Sequence, residues 1–508
     1  MFLRKIFISV FSLIPLLLIA GTVFAATTVP FTVNMSEVVN VTGTPRIAVT
    51  VGGVTRYATY ASGTGTSALT FNYDMVAGDV DLDGVTLTSP IDLNGGTLKD
   101  LNGNDAALTF TVPNTSNVKI SYPSLSMDFT SDHYTLNGTS YASLASFLTA
   151  TSGTFSRTST ATYFDSAGVL QTAASGVPRF DYDPITHAAK GILIEESRTN
   201  ILKQSNAFTT APWDTSTCGG ITNSGSTTTA PDGSTVPIYN FSTTGCVFQD
   251  VAVTIGNSLT HSVWIKANQT GNLGFRTPGT GATTSTTITV GTSWQRYNLT
   301  ATAIAATSRF LIDNRSANGY GVTGLQISFF GGQMEVGAFP TSNISTTTVS
   351  VTRSVDDLRF STTGWFNGTT GTWYAYFDGG KESNQGTYGR VISYDGATAA
   401  ISTDCGSTST IGTWNGTSNV CKVTGIDFYT TAGGAAAAYN QTALTRSLSA
   451  RGLTPVTGSY TGTYNSTGNI IRLGSNVVSS TNLLNGHIQK IKFYPARISD
   501  TQLQLLTQ

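Results

Sequence analysis

Apolar and polar residues alternate along several stretches of this chain. Val29, Phe31, Val33 and Met35 occupy every second position, as do Ile47, Val49 and Val51, then Leu69, Phe71, Tyr73 and Met75. A period of two puts such residues on one face of a strand, half buried. Gly52-Gly53, just after the second run, reads as a hairpin turn, and Leu108, Phe110 and Val112 close the set. Residues 27–120 therefore read as one small β-sandwich.

Two larger units follow in the same style. Residues 205–350 offer strands at Val247–Val253, Leu259–Ala267, Trp294–Ala301, Arg309–Asn314 and Leu325–Val336. Residues 358–508 offer Thr372–Phe377, Arg390–Tyr394, Ile426–Tyr429, Ile470–Leu473 and His487–Tyr494. Between the first and second units, residues 121–204 are less regular and read as a connector with short strands packed against the next unit. One helix is expected, from Ser499 to Gln508, capped by Ser499 or Asp500 and carrying Leu503, Leu505 and Leu506 on its apolar side. The fold class is all-β.

The amino terminus has a different pattern. Arg4 and Lys5 precede an apolar run from Ile6 to Ala20, and Val23-Phe24-Ala25 offers small residues where a signal peptidase reads. Residues 1–25 thus read as a secretory signal peptide, the rival being a membrane anchor, for which the run is short. No later segment is apolar enough to span a bilayer, so no membrane span is expected after cleavage. The four cysteines suit an oxidising, extracytoplasmic compartment (secreted, cell-surface or periplasmic). Cys218 pairs locally with Cys246, and Cys405 with Cys421, in the simplest of three connectivities.

Composition narrows the function. Charged residues are 11% of the 508, and Lys+Arg 27 against Asp+Glu 28 leaves no long-range field to draw in a nucleic acid. Thr-rich exposed strand positions keep sheets soluble without charge but leave their edges little guarded, which suits lateral packing into a homo-oligomer or fibre.

Candidate chemistry is sparse. Asp79, Asp81, Asp83 and Gly84 form D-x-D-x-D-G, a spacing that oxygen-liganded Ca²⁺ accepts. The twelfth loop position is Pro90 rather than Glu, so Asp92, Asp100, Asn102 or Asn104 would have to complete the site; the other reading is a solvated acidic turn. Glu195 and Glu196 are adjacent and point to opposite faces of a strand, so they cannot flank one glycosidic bond; an ion pair with Arg198 is the expectation. Asp181 and Asp183 share a strand face before Pro184, which marks a turn. The chain has no G-x-S-x-G, no H-E-x-x-H and no phosphate loop, and its four His are scattered, so no catalytic residue is assigned. Sugars stack on aromatic rings and hydrogen-bond to neutral polar groups without needing net charge. Trp264 shares a strand face with Ser262 and Lys266, opposite the apolar Val263 and Ile265. Trp264 and Lys266 are therefore the candidate ligand-binding pair, unless a loop or the connector covers that face. Trp373, in step with Ala375 and Phe377, reads as core. Trp213 and Trp414 read as loop residues near cysteines.

Three resemblances join these readings. The runs Val41–Arg46, Tyr60–Thr66, Ala77–Gly84 and Leu93–Asp100 are similar to bacterial immunoglobulin-like repeats of surface adhesins, which implies a stalk. Phe155–Tyr163, Gly176–Pro184, Gly191–Asn200, Gly332–Ser342 and Val351–Asp356 resemble a module of phage tail-fibre and spike proteins. Within it, Ser262–Ala267 and Ser293–Tyr297 resemble jelly-roll carbohydrate-binding modules. Trp365–Tyr374 and Gly486–Asp500 resemble a concanavalin A-like, laminin-G-type jelly roll. A phage fibre needs no export signal, which favours a bacterial surface protein. The expectation is an immunoglobulin-like sandwich followed by two jelly rolls, lectin-like and non-enzymatic, binding glycan or another cell-surface ligand, with calcium as a candidate cofactor. The alternatives are a structural fibre or surface-layer component and a glycan-cleaving enzyme.

Overall fold

The run that opens at Val29 becomes a strand of 15 residues, Thr28–Thr42. It pairs with Thr66–Asp74 along its first part and with Thr97–Asp100 along its last. Val54–Ser62, Arg46–Val51 and Thr86–Asp92 extend the same sheet, which folds over one core made by Phe31, Val33, Ile47, Val49, Leu69 and Phe71. These are the alternating positions, so period two and burial agree. The computed structural model describes residues 7–9, 27–277, 284–379, 389–394, 398–403, 409–414, 419–425, 427–459, 469–476 and 482–508. Most of the leader expected over residues 1–25 lies outside these; the backbone of Phe7–Ser9 pairs with Thr32–Asn34. Among the described residues no helix is long and apolar enough to cross a membrane.

The segment 121–204 divides its allegiance. Leu125–Asp128 pairs with the last strand, Gly486–Tyr494, and Ala189–Ile194 pairs with another stretch of that same strand. Thr154–Ser156 pairs with Asp357–Ser361. Leu125, Met127, Phe147, Ile192 and Ile194 share one core with Leu358, Trp373, Ile488 and Phe493. Much of the expected connector thus belongs to the carboxy-terminal sandwich: among the described residues it gives five of the ten strands of one main sheet and one of the seven of the other. The connector's strands are three to six residues long, too short to show a period, and those that join it to the sandwich pair with distant strands such as Gly486–Tyr494 and Asp357–Ser361. The hairpin Ala161–Phe164 with Leu170–Ala173 packs where the connector was expected, on the next unit, as do Ile201 and Leu202 at the connector's end.

That next unit is an insertion. The chain leaves the carboxy-terminal sandwich through Arg198–Asn200 and returns through Val351–Arg353, and these two short strands pair with each other. Between them lies a sandwich of a five-stranded and a four-stranded antiparallel sheet over its own core, which includes Val263, Ile265, Phe275, Phe310 and Phe329. The expected strands here match closely, Leu325–Val336 to the residue.

Three expectations fail. Leu108, Phe110 and Val112 do not form a strand, and Val112 is exposed, although Phe110 and Leu108 pack on the core of the first unit. The strand placed at Ile426–Tyr429 is not formed: Phe428–Thr430 is a turn, and Ile426 lies outside the described residues. The carboxy-terminal helix, Asp500–Leu506 with Ser499 as its cap, is not alone. Leu144–Ala150 is a second helix, with a capping box between Ser143 and Ser146 and with Leu144, Phe147 and Leu148 buried at helical spacing.

Candidate functional site

The neck of the insertion holds a buried ionic network. Arg157 and Arg179 both bond Asp356, and Arg179 also reaches Glu195 at 2.7 Å. Arg353 meets the same Glu195 carboxylate at 2.8 Å, and the Ser342 backbone N–H and hydroxyl both donate to it. Burial alone would raise the Glu195 carboxyl; Arg353 and Arg179 overcome this and hold it well below the usual carboxylate range. Glu195 and Glu196 lie just past the strand that ends at Ile194 rather than within one, and Glu196 bonds Arg198. The Arg198 guanidinium lies against Gly337, where a Cβ would sit 1.4 Å from Nη1. The φ of +149° there also favours glycine, so a side chain at this position would be strained and would displace the Arg198 guanidinium.

Beside this network opens a cleft of about 570 Å³. One wall is the hairpin that carries Tyr163 and Phe164. The second is the inserted sandwich with Arg296, Asn298 and the loop 339–343. The third is the carboxy-terminal sandwich with Asp378, Asn485 and His487. His487 joins the walls: Nε2 lies 2.8 Å from Asp181 Oδ2 and Nδ1 lies 2.8 Å from Asp378 Oδ1. Burial would lower its pKa, but Asp378 and Asp181 push it up to about 9. The ring is therefore an imidazolium at neutral pH with both N–H groups committed. Both oxygens of Asp181 have partners, since the other accepts the Phe164 N–H at 2.6 Å.

The acids of the cleft are thus matched by cations or backbone donors. Glu195 belongs to the neck network, Asp181 and Asp378 to His487, and Asp183 caps a turn by accepting the N–H groups of Ile185 and Thr186. A protonated histidine with no free nitrogen cannot serve as a general base near neutrality. What the cleft can do is hydrogen-bond and pack: it offers half-buried rings at Tyr163, Phe164 and Tyr429 beside amides and hydroxyls.

Trp264 lines this cleft but is not an open platform. It is 7% exposed, with Phe330 and Phe164 at its edges and the Arg296 guanidinium 4.3 Å above its ring. The covering expected from the connector is real and comes from the 161–173 hairpin. Lys266 donates to Thr228 at 3.2 Å and does not line the cleft. Trp373 is core, as read. Trp213 is not a loose loop residue: it packs against Phe208 and Phe310 in the inserted sandwich. Trp414 ends the strand Thr410–Trp414.

The aspartate loop has a different task. Asp79 accepts from Arg56, Tyr73 and the Val76 N–H, and Asp81 from the N–H groups of Gly52 and Gly84. Asp83 accepts from Gln502 of the carboxy-terminal helix, whose Oε1 takes the Leu82 N–H at 2.6 Å. Val80 packs with Ala436, Tyr494 and Leu503. The loop docks the first unit onto the carboxy-terminal sandwich. Among the described residues no three His, Cys, Asp or Glu side chains are placed to hold one metal ion. Cys218 and Cys246 form a disulfide; Cys421 lies on the strand Asn419–Val423, and Cys405 lies outside the described residues.

His487, Asp378 and Arg296 were not singled out in the sequence. The usable signal was polar residues set inside apolar strand runs: Asp181 between Phe180 and Tyr182, and His487 before Ile488.

No family model matches the chain, and no curated protein matches it. Among solved structures, the CBM40 of a Ruminococcus gnavus IT-sialidase is 12% identical, covering 28% of this chain and 84% of its own, with a TM-score of 0.23. A CBM4 structure is 15% identical, covering 28% of this chain and 97% of its own, with a TM-score of 0.19. At these scores neither likeness bears on the ligand.

Proposed function

We propose that this is an exported, modular surface protein that binds glycan without cleaving it. The observation that carries the reading is the cleft between the inserted and carboxy-terminal sandwiches, large enough for one or two sugar rings and lined by rings, amides and hydroxyls. Its histidine is held as a cation between two carboxylates, which supports binding rather than proton transfer. The Cys218–Cys246 disulfide supports an oxidising compartment. The first unit, fixed to the carboxy-terminal sandwich through its aspartate loop, acts as a spacer.

A glycan array probed with the mature protein tests this. Binding to a saccharide class, lost when Asn298→Trp fills the cleft mouth, supports the reading. No binding by a folded protein favours a purely structural surface component. Release of reducing ends from a polysaccharide panel would establish an enzyme instead.

A further inference from the structure

Arg296, half-buried, stands apart from the buried arginines of this region. Arg157, Arg179, Arg353 and Arg198 each have a carboxylate partner. Arg296, on the strand Gln295–Thr302, has none at ion-pair distance among the described residues. Its Nη1 donates to the Thr341 carbonyl at 2.7 Å and its Nη2 to the Ser262 hydroxyl at 3.0 Å. A guanidinium carries five N–H donors, so most of the fork is uncommitted, and Nε is buried without a partner. Burial lowers the Arg296 pKa to about 10, against the partial offset of the more distant Glu335 and Glu195 carboxylates.

Other atoms of the same cleft share this deficit. Lys190, on the strand Ala189–Ile194, lines the space and also has no ion pair at bonding distance among the described residues. Asn485 Nδ2 is a buried donor without a partner, and Asn343 Oδ1 a buried acceptor without one. Asn343 itself is 2% exposed. Buried polar atoms are nearly always paired, so a cleft that gathers an uncommitted guanidinium fork, an orphan amide donor and an orphan carbonyl is built to be completed by a ligand. The nearby acids bond elsewhere: Asp181 and Asp378 to His487, Asp183 to its own turn, Glu195 to Arg179 and Arg353, and Glu335, whose charge with that of Glu195 partly offsets the burial of Arg296, to Thr341 and Gln333.

We propose that the cleft recognises an anionic saccharide, its carboxylate or sulfate seated on Arg296 and a ring hydroxyl on Asn343. This rests on the glycan-binding reading and names the class within it. Both anionic groups accept the planar fork of an arginine. A neutral sugar would leave the free N–H groups of the fork without a charged acceptor.

Isothermal titration of the mature protein with a uronic-acid tetrasaccharide, its neutral parent, a sulfated oligosaccharide and inorganic sulfate tests the proposal. The uronide or the sulfated ligand is expected to bind at least about tenfold more tightly than the neutral parent, the scale of a charge-assisted hydrogen bond. Which of the two wins identifies the group. Binding should weaken with added salt. Arg296→Gln should abolish the preference for the anionic ligand, and Arg296→Lys should restore part of it. If Arg296→Gln does not fold, Lys190→Gln carries the test, with an expected loss of about threefold for the anionic ligand alone. Equal binding of neutral and anionic sugars, or a preference unmoved by Arg296→Gln and Arg296→Lys, overturns this inference and leaves glycan binding standing. Binding of inorganic sulfate alone overturns it as well. No binding of any saccharide overturns both.

Discussion

Arg179 and Asp356, 177 residues apart in the chain, form an ion pair in which both side chains are fully buried. Asp356 also holds Arg157, and Arg179 also holds Glu195, so this pair ties the segment before the insertion to the segment after it. A buried pair adds little net stability over a well-packed apolar pair, but removing one partner strands the other charge. Asp356→Ala is therefore expected to cost about 3–5 kcal/mol in the unfolding transition of the two linked sandwiches. Urea unfolding followed by tryptophan fluorescence checks this; a loss under about 1 kcal/mol would mean that water reaches the network.

Stability should peak between two histidine limits. The folded pKa of His487 is raised from 6.5 to about 9, so its contribution is complete below pH 6.5 and is lost as pH rises through 9. His261 is the reverse case. It is fully buried between Phe310 and Phe275, neither ring nitrogen has a partner, and burial lowers its pKa to about 3. Its unfolded form takes up a proton that the folded form refuses, so stability falls as pH drops below 6.5. Thermal midpoints across this range should show both limbs. His487→Gln should flatten the alkaline one, and His261→Phe the acid one.

The topology predicts which pieces fold alone. Residues 201–350 have their own core and disulfide, and should give a cooperative transition when excised. Residues 351–508 should not, because the strand Gly486–Tyr494 would lose Leu125–Asp128 and Ala189–Ile194 from its edge, and the core would lose Met127, Phe147 and Ile192. Near-ultraviolet circular dichroism of both fragments distinguishes the outcomes. A folded 351–508 fragment would refute the shared-core topology.

The aspartate loop should answer to its docking partner more than to a cation. About 5 mM calcium, above the weak end of extracellular sites, is expected to move the thermal midpoint by less than about 1 °C relative to EDTA. Gln502→Ala removes both bonds to the loop at once, and should expose the junction of the first unit to limited proteolysis. A large calcium shift would instead assign the loop a bound ion.

Much of this architecture was legible because half-buried strands carry their period on their surface. Val29 to Met35, Leu325 to Val336 and Thr372 to Phe377 could be placed from the sequence alone. The connector could not, since strands such as Thr154–Ser156 are too short to show a period and are defined by partners such as Asp357–Ser361. The side of the strand on which Trp264 lies was readable from Val263 and Ile265; that Phe164 and Arg296 cover it was not, because both arrive from other elements. The same holds for the neck and cleft. Phe155–Tyr163, Gly176–Pro184, Gly191–Asn200, Gly332–Ser342 and Val351–Asp356 are separate in the sequence, yet they supply Arg157, Arg179, Glu195, Ser342, Arg353 and Asp356 to one buried network. Charged residues in a chain this poor in charge mark the place, but only the fold brings them together.

The pairing of Arg198–Asn200 with Val351–Arg353 brings the two ends of the middle unit side by side. Such an attachment behaves as a cassette socket. A different sandwich grafted between Asn200 and Val351 would leave the host sheets intact and keep Asp181, Asp378 and His487 as a constant half-site, so ligand choice could be exchanged by replacing one contiguous block of chain.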